Sequence, residues 1–414
     1  MRPVTLVSIV GLALVAMNAV GQETLPAADD DVAVTLPKTV AKLRSGEPIR
    51  IVCFGDSVTG VYYHTGGRRA YADMLGIAIE RVFPESDVTM VNAGVSGHTT
   101  VNALSRIDRD VLAHEPTLVT VMFGLNDMGG LTLDQYRDNL RTIVEKCRSA
   151  GAEVLLATPN DVINTSGRLT EKLKRYCKAV REVGQSENVP VCDCYGELEA
   201  LKSRDAAAWR LLLSDEIHPN MDGHKRIAEL LARSITGRET SLADVQPPDR
   251  PLAKTLAHIK SGRPVKILAM PPFDEWFGPA VNEIVPKSQL EIMAWPTAGK
   301  TLSEIEQDAK TRVRPMQPDL VLIAVPPAAR FDSEESFISG YTWIMNWSLS
   351  FATQEWDCVV VHPAVVDSDH AEARRDSLVR QLVRAQDLTL IDRSTEDGPS
   401  GKEIFVEWLK RQMR

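Results

Sequence analysis

From Ile49 onward, short runs of β-branched and other apolar residues alternate with longer stretches in which apolar positions recur every three or four residues. The runs Ile49–Phe54, Asp87–Val91, Leu118–Phe123, Glu153–Ala157 and Val189–Cys192 predict strands, and the stretches Arg69–Val82, Val101–Ala113, Leu133–Ala150, Leu169–Ser186 and Asp222–Ile235 predict helices. Asp222 is the expected cap of the last helix. Strands that are apolar along their whole length are buried on both faces, so the pattern predicts an α/β fold with a parallel sheet between two helical layers. In that architecture functional groups gather in the loops that leave the carboxyl ends of the strands.

The pattern then starts again. After a polar, proline-bearing passage, Gly237 to Arg250, the segment Lys38 to Pro48 (KTVAKLRSGEP) recurs as Lys254 to Pro264 (KTLAHIKSGRP), with six of eleven positions identical. Four further matches follow in the same order: Gly97–Thr99 with Gly299–Thr301, Pro116–Val119 with Pro318–Val321, Glu153–Pro159 with Asp357–Pro363, and Gly223–Leu231 with Gly401–Leu409. A repeat of this length is a duplicated domain, not a solenoid. The expected division is 37–238 for the first domain, 239–250 for a linker and 251–414 for the second.

Composition narrows the setting. The 414 residues carry 47 Lys+Arg against 56 Asp+Glu, a formal net charge of −9, and without a basic block a nucleic-acid partner is not expected. The apolar run Val4 to Val20 behind Met1-Arg2 predicts a signal peptide over 1–21, cut near Gly21, followed by an acidic linker over 22–36. Export is therefore expected, to the periplasm or the extracellular space, with no membrane span once the leader is removed. Cys53 and Cys358 sit inside strand-like runs and are expected to act as small buried hydrophobes, and any disulfide would be sought among Cys147, Cys177, Cys192 and Cys194.

Four short blocks carry candidate chemistry. Gly55-Asp56-Ser57 closes the first strand and can present the Ser57 hydroxyl at the functional edge of a sheet, as a nucleophile requires. Asp215 and His218 stand three apart before the last helix of the first copy, so the carboxylate can fix one imidazole nitrogen while the other faces the serine. Gly97 after the second strand can bring a backbone N–H close to a substrate, and Asn126 after the third can add an amide donor, the parts needed to hold a developing oxyanion. Each block alone reads equally as a turn or a cap. Together, each placed where a parallel sheet would gather it, they point to one site. Tyr62, Tyr63, His64, Arg68 and Arg69 in the loop after Ser57, with His98 beside Gly97, are candidate contacts for a polar or anionic leaving group.

These blocks resemble the SGNH subgroup of the GDSL esterases and lipases: GDS at 55–57, N-x-x-x-x-G at 92–97, G-x-N-D at 124–127 and D-x-x-H-P at 215–219. The resemblance covers Pro37 to Thr236. It implies the SGNH hydrolase fold, a flavodoxin-like three-layer α/β/α sandwich with five parallel strands, here duplicated. It also implies Ser57 as nucleophile, His218 as general base and then acid, and Asp215 as the orienting carboxylate, with the Ser57 and Gly97 N–H groups and the Asn126 amide as oxyanion hole. No metal or organic cofactor is implied.

The second copy departs from these blocks. In register, Gly55–Ser57 becomes Pro271–Phe273, Gly124–Asp127 becomes Pro326–Ala329, and Asp215 and His218 become Arg393 and Glu396, which predicts a degenerate, non-catalytic domain. Six of the seven tryptophans lie after residue 270, and the spacing of Trp343, Trp347 and Phe351 favours a core or domain interface over a sugar-binding platform. The expected activity is removal of acetyl or other short acyl groups from a small ester or acylated glycan. The alternatives are a lysophospholipase or thioesterase and, in another class, a non-catalytic glycan-binding or scaffold protein.

Overall fold

The computed structural model describes residues 36–248, 250–367, 372–393 and 398–414; the predicted leader, and the acidic linker up to residue 35, lie outside them, as does Glu396. Two five-stranded parallel sheets form the framework. The first contains β1 (Ile49–Gly55), β2 (Val88–Gly94), β3 (Leu118–Met122), β4 (Glu153–Ala157) and β5 (Val191–Cys192) in the order β2-β1-β3-β4-β5. The second contains β6 (Val265–Ala269), β7 (Leu290–Ala294), β8 (Leu320–Ile323), β9 (Asp357–Val361) and β10 (Thr389–Ile391) in the order β10-β9-β8-β6-β7. Numbered within each copy, both read 2-1-3-4-5, the doubly wound, flavodoxin-like order. Each sheet has its own apolar cluster.

The duplication reaches single hydrogen bonds. Glu153, at the start of β4, accepts from the N–H groups of Lys38 and Thr39 and so holds the amino end of the helix Pro37–Ser45. Asp357, at the start of β9, accepts from the N–H and hydroxyl of Thr255 in the helix Ala253–Lys260. A carboxylate at a helix amino terminus satisfies otherwise unpaired donors and the helix dipole together, which gives both copies the same reason to keep an acid there.

β1 and β3 are buried almost throughout, as their continuous apolar runs require. The predicted strand at Val189 is only two residues long, and Pro190, which has no N–H for a ladder bond, lies just outside it. The helix expected from Asp222 begins at Met221, and its cap is Asn220, whose side chain accepts from Gly223 N–H, while Asp222 stands in the first turn. The helices Cys194–Arg204 and Ala206–Arg210 carry weak or short apolar stripes and were not expected.

The stretch from Gly237 to Arg250 is not a free linker. Leu242 is fully buried in the first core, its N–H bonds to Glu229, and Arg81 pairs with Asp244. All six cysteines are free and buried, Cys192 and Cys194 with their sulfurs 3.5 Å apart, so no bridge forms among the four considered. Among the described residues no helix is long and apolar enough to cross a membrane.

The two units pack on each other. Arg69 makes a two-pronged ion pair with Asp387, whose side chain is almost sealed from solvent, and Arg210 reaches Glu335. Tyr63 rests against Trp343 and Phe351, so the Trp343–Phe351 stripe serves the interface, while Trp295, Trp356 and Trp408 are buried in the second core.

Candidate active site

The four sequence blocks meet at the carboxyl edge of the first sheet. β1 ends at Gly55, where a Cβ would overlap the Thr59 hydroxyl, so a side chain is excluded at the residue that turns the chain. The turn is held by Asp56, whose side chain accepts from Val58 N–H and whose carbonyl accepts from the N–H groups of Thr59 and Gly60. Ser57 emerges from this turn with its Oγ 2.9 Å from His218 Nε2.

His218 Nδ1 lies 2.7 Å from Asp215 Oδ2, and Asp215 Oδ1 accepts from the N–H groups of Ile217 and His218. Burial alone would raise the Asp215 pKa, but the His218 charge and these hydrogen bonds overcome it and hold the carboxyl well below the usual carboxylate range. An ionised Asp215 only accepts, so the proton sits on Nδ1 of His218 and Nε2 is left to accept from the Ser57 hydroxyl.

The turn that carries Asp215 and His218 is braced from outside. Ser214 N–H bonds to the His218 carbonyl, and Asn160, buried in the loop after β4, donates to the Ile217 carbonyl. Asn160 escaped the sequence reading because Pro-Asn-Asp after a strand looks like any turn. Arg106 was missed too. It lies in the helix Thr100–Asp110, covers the Phe54 ring, and donates to Gly55 O, Ala93 O and His98 Nδ1, tying the ends of β1 and β2 together. It stands on the buried stripe of that helix with Thr100, Ala103 and Ile107, and no motif marked it.

Gly97 has a φ of +75°, and a Cβ there would meet open space, so its conformation and not crowding favours glycine. Asn126 Nδ2 donates to His98 O at 3.1 Å and to Asp56 Oδ2 at 3.3 Å, so holding an oxyanion requires it to exchange one of these partners. Asp127, in the same block, is structural: it accepts from the N–H and hydroxyl of Thr100 and joins the loops after β2 and β3.

The expected substrate contacts divide. Arg68 and Arg69 are turned to Asp387 of the second unit and to the carbonyls of Pro248 and Gln246 in the connecting stretch, because an arginine buried at an interface must find acceptors there. His64 is 2% exposed and stacks on His218 with ring centroids 4.0 Å apart and planes 11° from parallel. Its burial, with the His218 charge nearby, holds its pKa well below the usual histidine value. Tyr62 accepts from Ser96 N–H, beside Gly97, and His98 stays half-buried. Candidate ligand atoms of His64, Asp215 and His218 lie within 4.8 Å of one another, but lone pairs in the planes of two parallel rings do not converge on one ion.

A second buried histidine was also missed. His224 accepts from Tyr71 N–H, and burial lowers its pKa to about 3. A histidine depressed in the fold stabilises it above the unfolded value near 6.5, and that stability is lost as the pH falls toward 3. Between pH 7 and pH 4 His224 should remove about 3 kcal/mol of stability. Asp56, pushed up to about 6 by burial, acts in the opposite sense over that range, so the test is a difference between proteins. Urea unfolding of His224→Gln should show a pH 7-to-4 loss smaller than wild type by that amount; equal losses would refute the assignment.

The sequence profile of the GDSL-like lipase/acylhydrolase family matches residues 53–226. The chain is similar to an acetylxylan esterase of Geobacillus stearothermophilus, 27% identical over 216 residues, covering 47% of this chain and 96% of the relative. It is also similar to the thioesterase 1/protease 1/lysophospholipase L1 of Escherichia coli K12, 31% identical over 153 residues, covering 36% of this chain and 69% of the relative. Among solved structures, a lipase/acylhydrolase from Enterococcus faecalis aligns with a TM-score of 0.40 at 29% identity, over 46% of this chain and 97% of the other. Axe2, an acetylxylan esterase from Geobacillus stearothermophilus, aligns with a TM-score of 0.41 at 25% identity, over 48% and 99%. The chain belongs to the GDSL-like lipase/acylhydrolase family and is a carboxylic ester hydrolase.

Proposed function

We propose that the protein is an exported serine esterase that removes acetyl or other short acyl groups from a carbohydrate, with its one active site in the first unit. The observation that carries this reading is the unbroken chain from Ser57 Oγ through His218 to Asp215, at 2.9 and 2.7 Å. Ser57 Oγ attacks the ester carbonyl carbon while its proton passes to His218 Nε2. The carbonyl oxygen becomes an oxyanion, held by the N–H groups of Ser57 and Gly97 and the Asn126 amide, released from one of its resting partners. As the C–O bond breaks, His218 returns the proton to the leaving alcohol, and an acyl-Ser57 remains. Water, deprotonated by His218, then attacks the acyl carbon, and collapse frees the acid and restores the serine.

The carbohydrate part is supported by similarity to two acetylxylan esterases, the one above and one from Xylanibacter ruminicola at 25% identity. Export is supported by the apolar run at Val4 to Val20. The second unit is proposed to be non-catalytic: Phe273, in the register of Ser57, is fully buried against Phe405 and offers no nucleophile. The similarity to a thioesterase and lysophospholipase favours a second reading, hydrolysis of long-chain acyl esters.

Rates on p-nitrophenyl esters from acetate to dodecanoate separate the two. The expected result is a kcat/KM that is highest for acetate, together with acetate release from acetylated xylan. A maximum at eight carbons or more would replace the carbohydrate reading with the lipid or thioester one.

A further inference from the structure

The second unit touches the first at the two loops that carry the catalytic histidine and its neighbours. Gln386 Nε2 donates to the Tyr63 carbonyl at 2.7 Å. Asn346 Nδ2 donates to the Ser214 carbonyl at 3.3 Å, and the Ser214 hydroxyl lies 3.2 Å from Asn346 Oδ1 and 3.3 Å from Gln386 Oε1. All three side chains are at most 2% exposed. Tyr63 and Ser214 immediately precede His64 and Asp215. A buried amide must have its donors and acceptors met, and such a network holds its partners in one arrangement.

The loop after Ser57 is also pressed against the second unit by backbone alone. Gly66 and Gly67 have φ of +71° and +70°; a Cβ on Gly66 would come within 3.0 Å of Gln386 O, and Gly67 O accepts from Gln354 N–H. From Tyr63 the packing continues inward: its ring lies 4.5 Å from His64, which stacks on His218. A displacement of Tyr63 is therefore passed through His64 to the face of the imidazole that must accept the serine proton.

We infer that the second unit is a built-in part of the first unit's active site, with Gln386 and Asn346 as positioning residues that fix the loops of Tyr63 and Ser214 and through them the orientation of His218. This rests on the serine-esterase reading above. It gives a unit without the catalytic blocks a role in the reaction that does not require it to bind substrate.

The test uses the full-length protein and Gln386→Met, which removes both amide donors at similar volume. A fluorophosphonate counts reactive Ser57, and p-nitrophenyl acetate then gives kcat per labelled site. Because a misplacement on the order of 1 Å costs up to about a hundredfold, kcat per site should fall about tenfold, with KM within about twofold of wild type. Ser214→Ala deletes one hydroxyl, spares the fold, and should lower kcat per site by about threefold. Glu283→Ala breaks an ion pair with Lys410 inside the second unit and should leave both constants unchanged. A lower melting temperature with unchanged kcat per site, in Gln386→Met or in Ser214→Ala, would reduce the network to interface packing and overturn the inference. Wild-type protein that never labels would instead sink the serine-esterase reading itself.

Discussion

Ser57→Ala is expected to abolish ester hydrolysis, with a loss in kcat on the order of 10⁶-fold, the size seen when the nucleophile of a serine triad is removed. The protein should stay folded. The hydroxyl makes one side-chain hydrogen bond, to His218, and deleting a bond of about 1 kcal/mol shifts the melting temperature of a unit the size of the first by only about 3 °C. The size of the loss also counts sites. The second sheet repeats the strand order, but its first strand leads through Pro271-Pro272 to a buried Phe273, the first residue of a helix. Assay of Ser57→Ala with p-nitrophenyl acetate, in parallel with its melting curve, checks this. Residual turnover of a few per cent, with a KM of its own, would reveal a second active site and refute the single-site proposal.

Much of this arrangement was legible in the sequence because it is written in strongly constrained positions. The buried strands β1, β3 and β4 announce themselves as continuous apolar runs, the blocks at Gly55 and Gly124 stand where β1 and β3 end, and the block at Asp215 stands just before the last helix of the first unit. The repeat was readable because Thr39 and Thr255, or Glu153 and Asp357, do the same work for the same helix end in both copies. What escaped was what depends on three-dimensional neighbours. Arg68 and Arg69 looked like substrate contacts because nothing local says that Asp387, over 300 residues away, is their partner. His64 looked like a candidate substrate contact because its stacking on His218 exists only once two distant loops meet. Arg106 and Asn160 support the site through backbone carbonyls, acceptors that every residue has and no motif records.

Asp215→Asn is expected to lower kcat about 10⁴-fold with little change in KM, although it preserves shape almost atom for atom. The carboxylate has two jobs. Its Oδ1 accepts from the N–H groups of Ile217 and His218, and an asparagine oxygen can keep that position and hold the turn. Its Oδ2 accepts from His218 Nδ1, and there the asparagine must present NH₂. Two donors cannot share a hydrogen bond, so the imidazole moves its proton to Nε2 and accepts at Nδ1 instead. Nε2 then faces Ser57 Oγ as a donor, and the hydroxyl has no base. The opposite amide flip fares no better, since it sets NH₂ against two backbone N–H groups. The variant also lacks the negative charge that would stabilise the imidazolium formed in the transition state. Because the defect is a tautomer and not a misfold, hydroxide at high pH should recover part of the rate, so kcat/KM should climb with pH where wild type has levelled off. A pH–rate profile from 6 to 10 on p-nitrophenyl acetate measures this. A loss of less than about tenfold at neutral pH would remove Asp215 from the proton relay and leave it only the turn to hold.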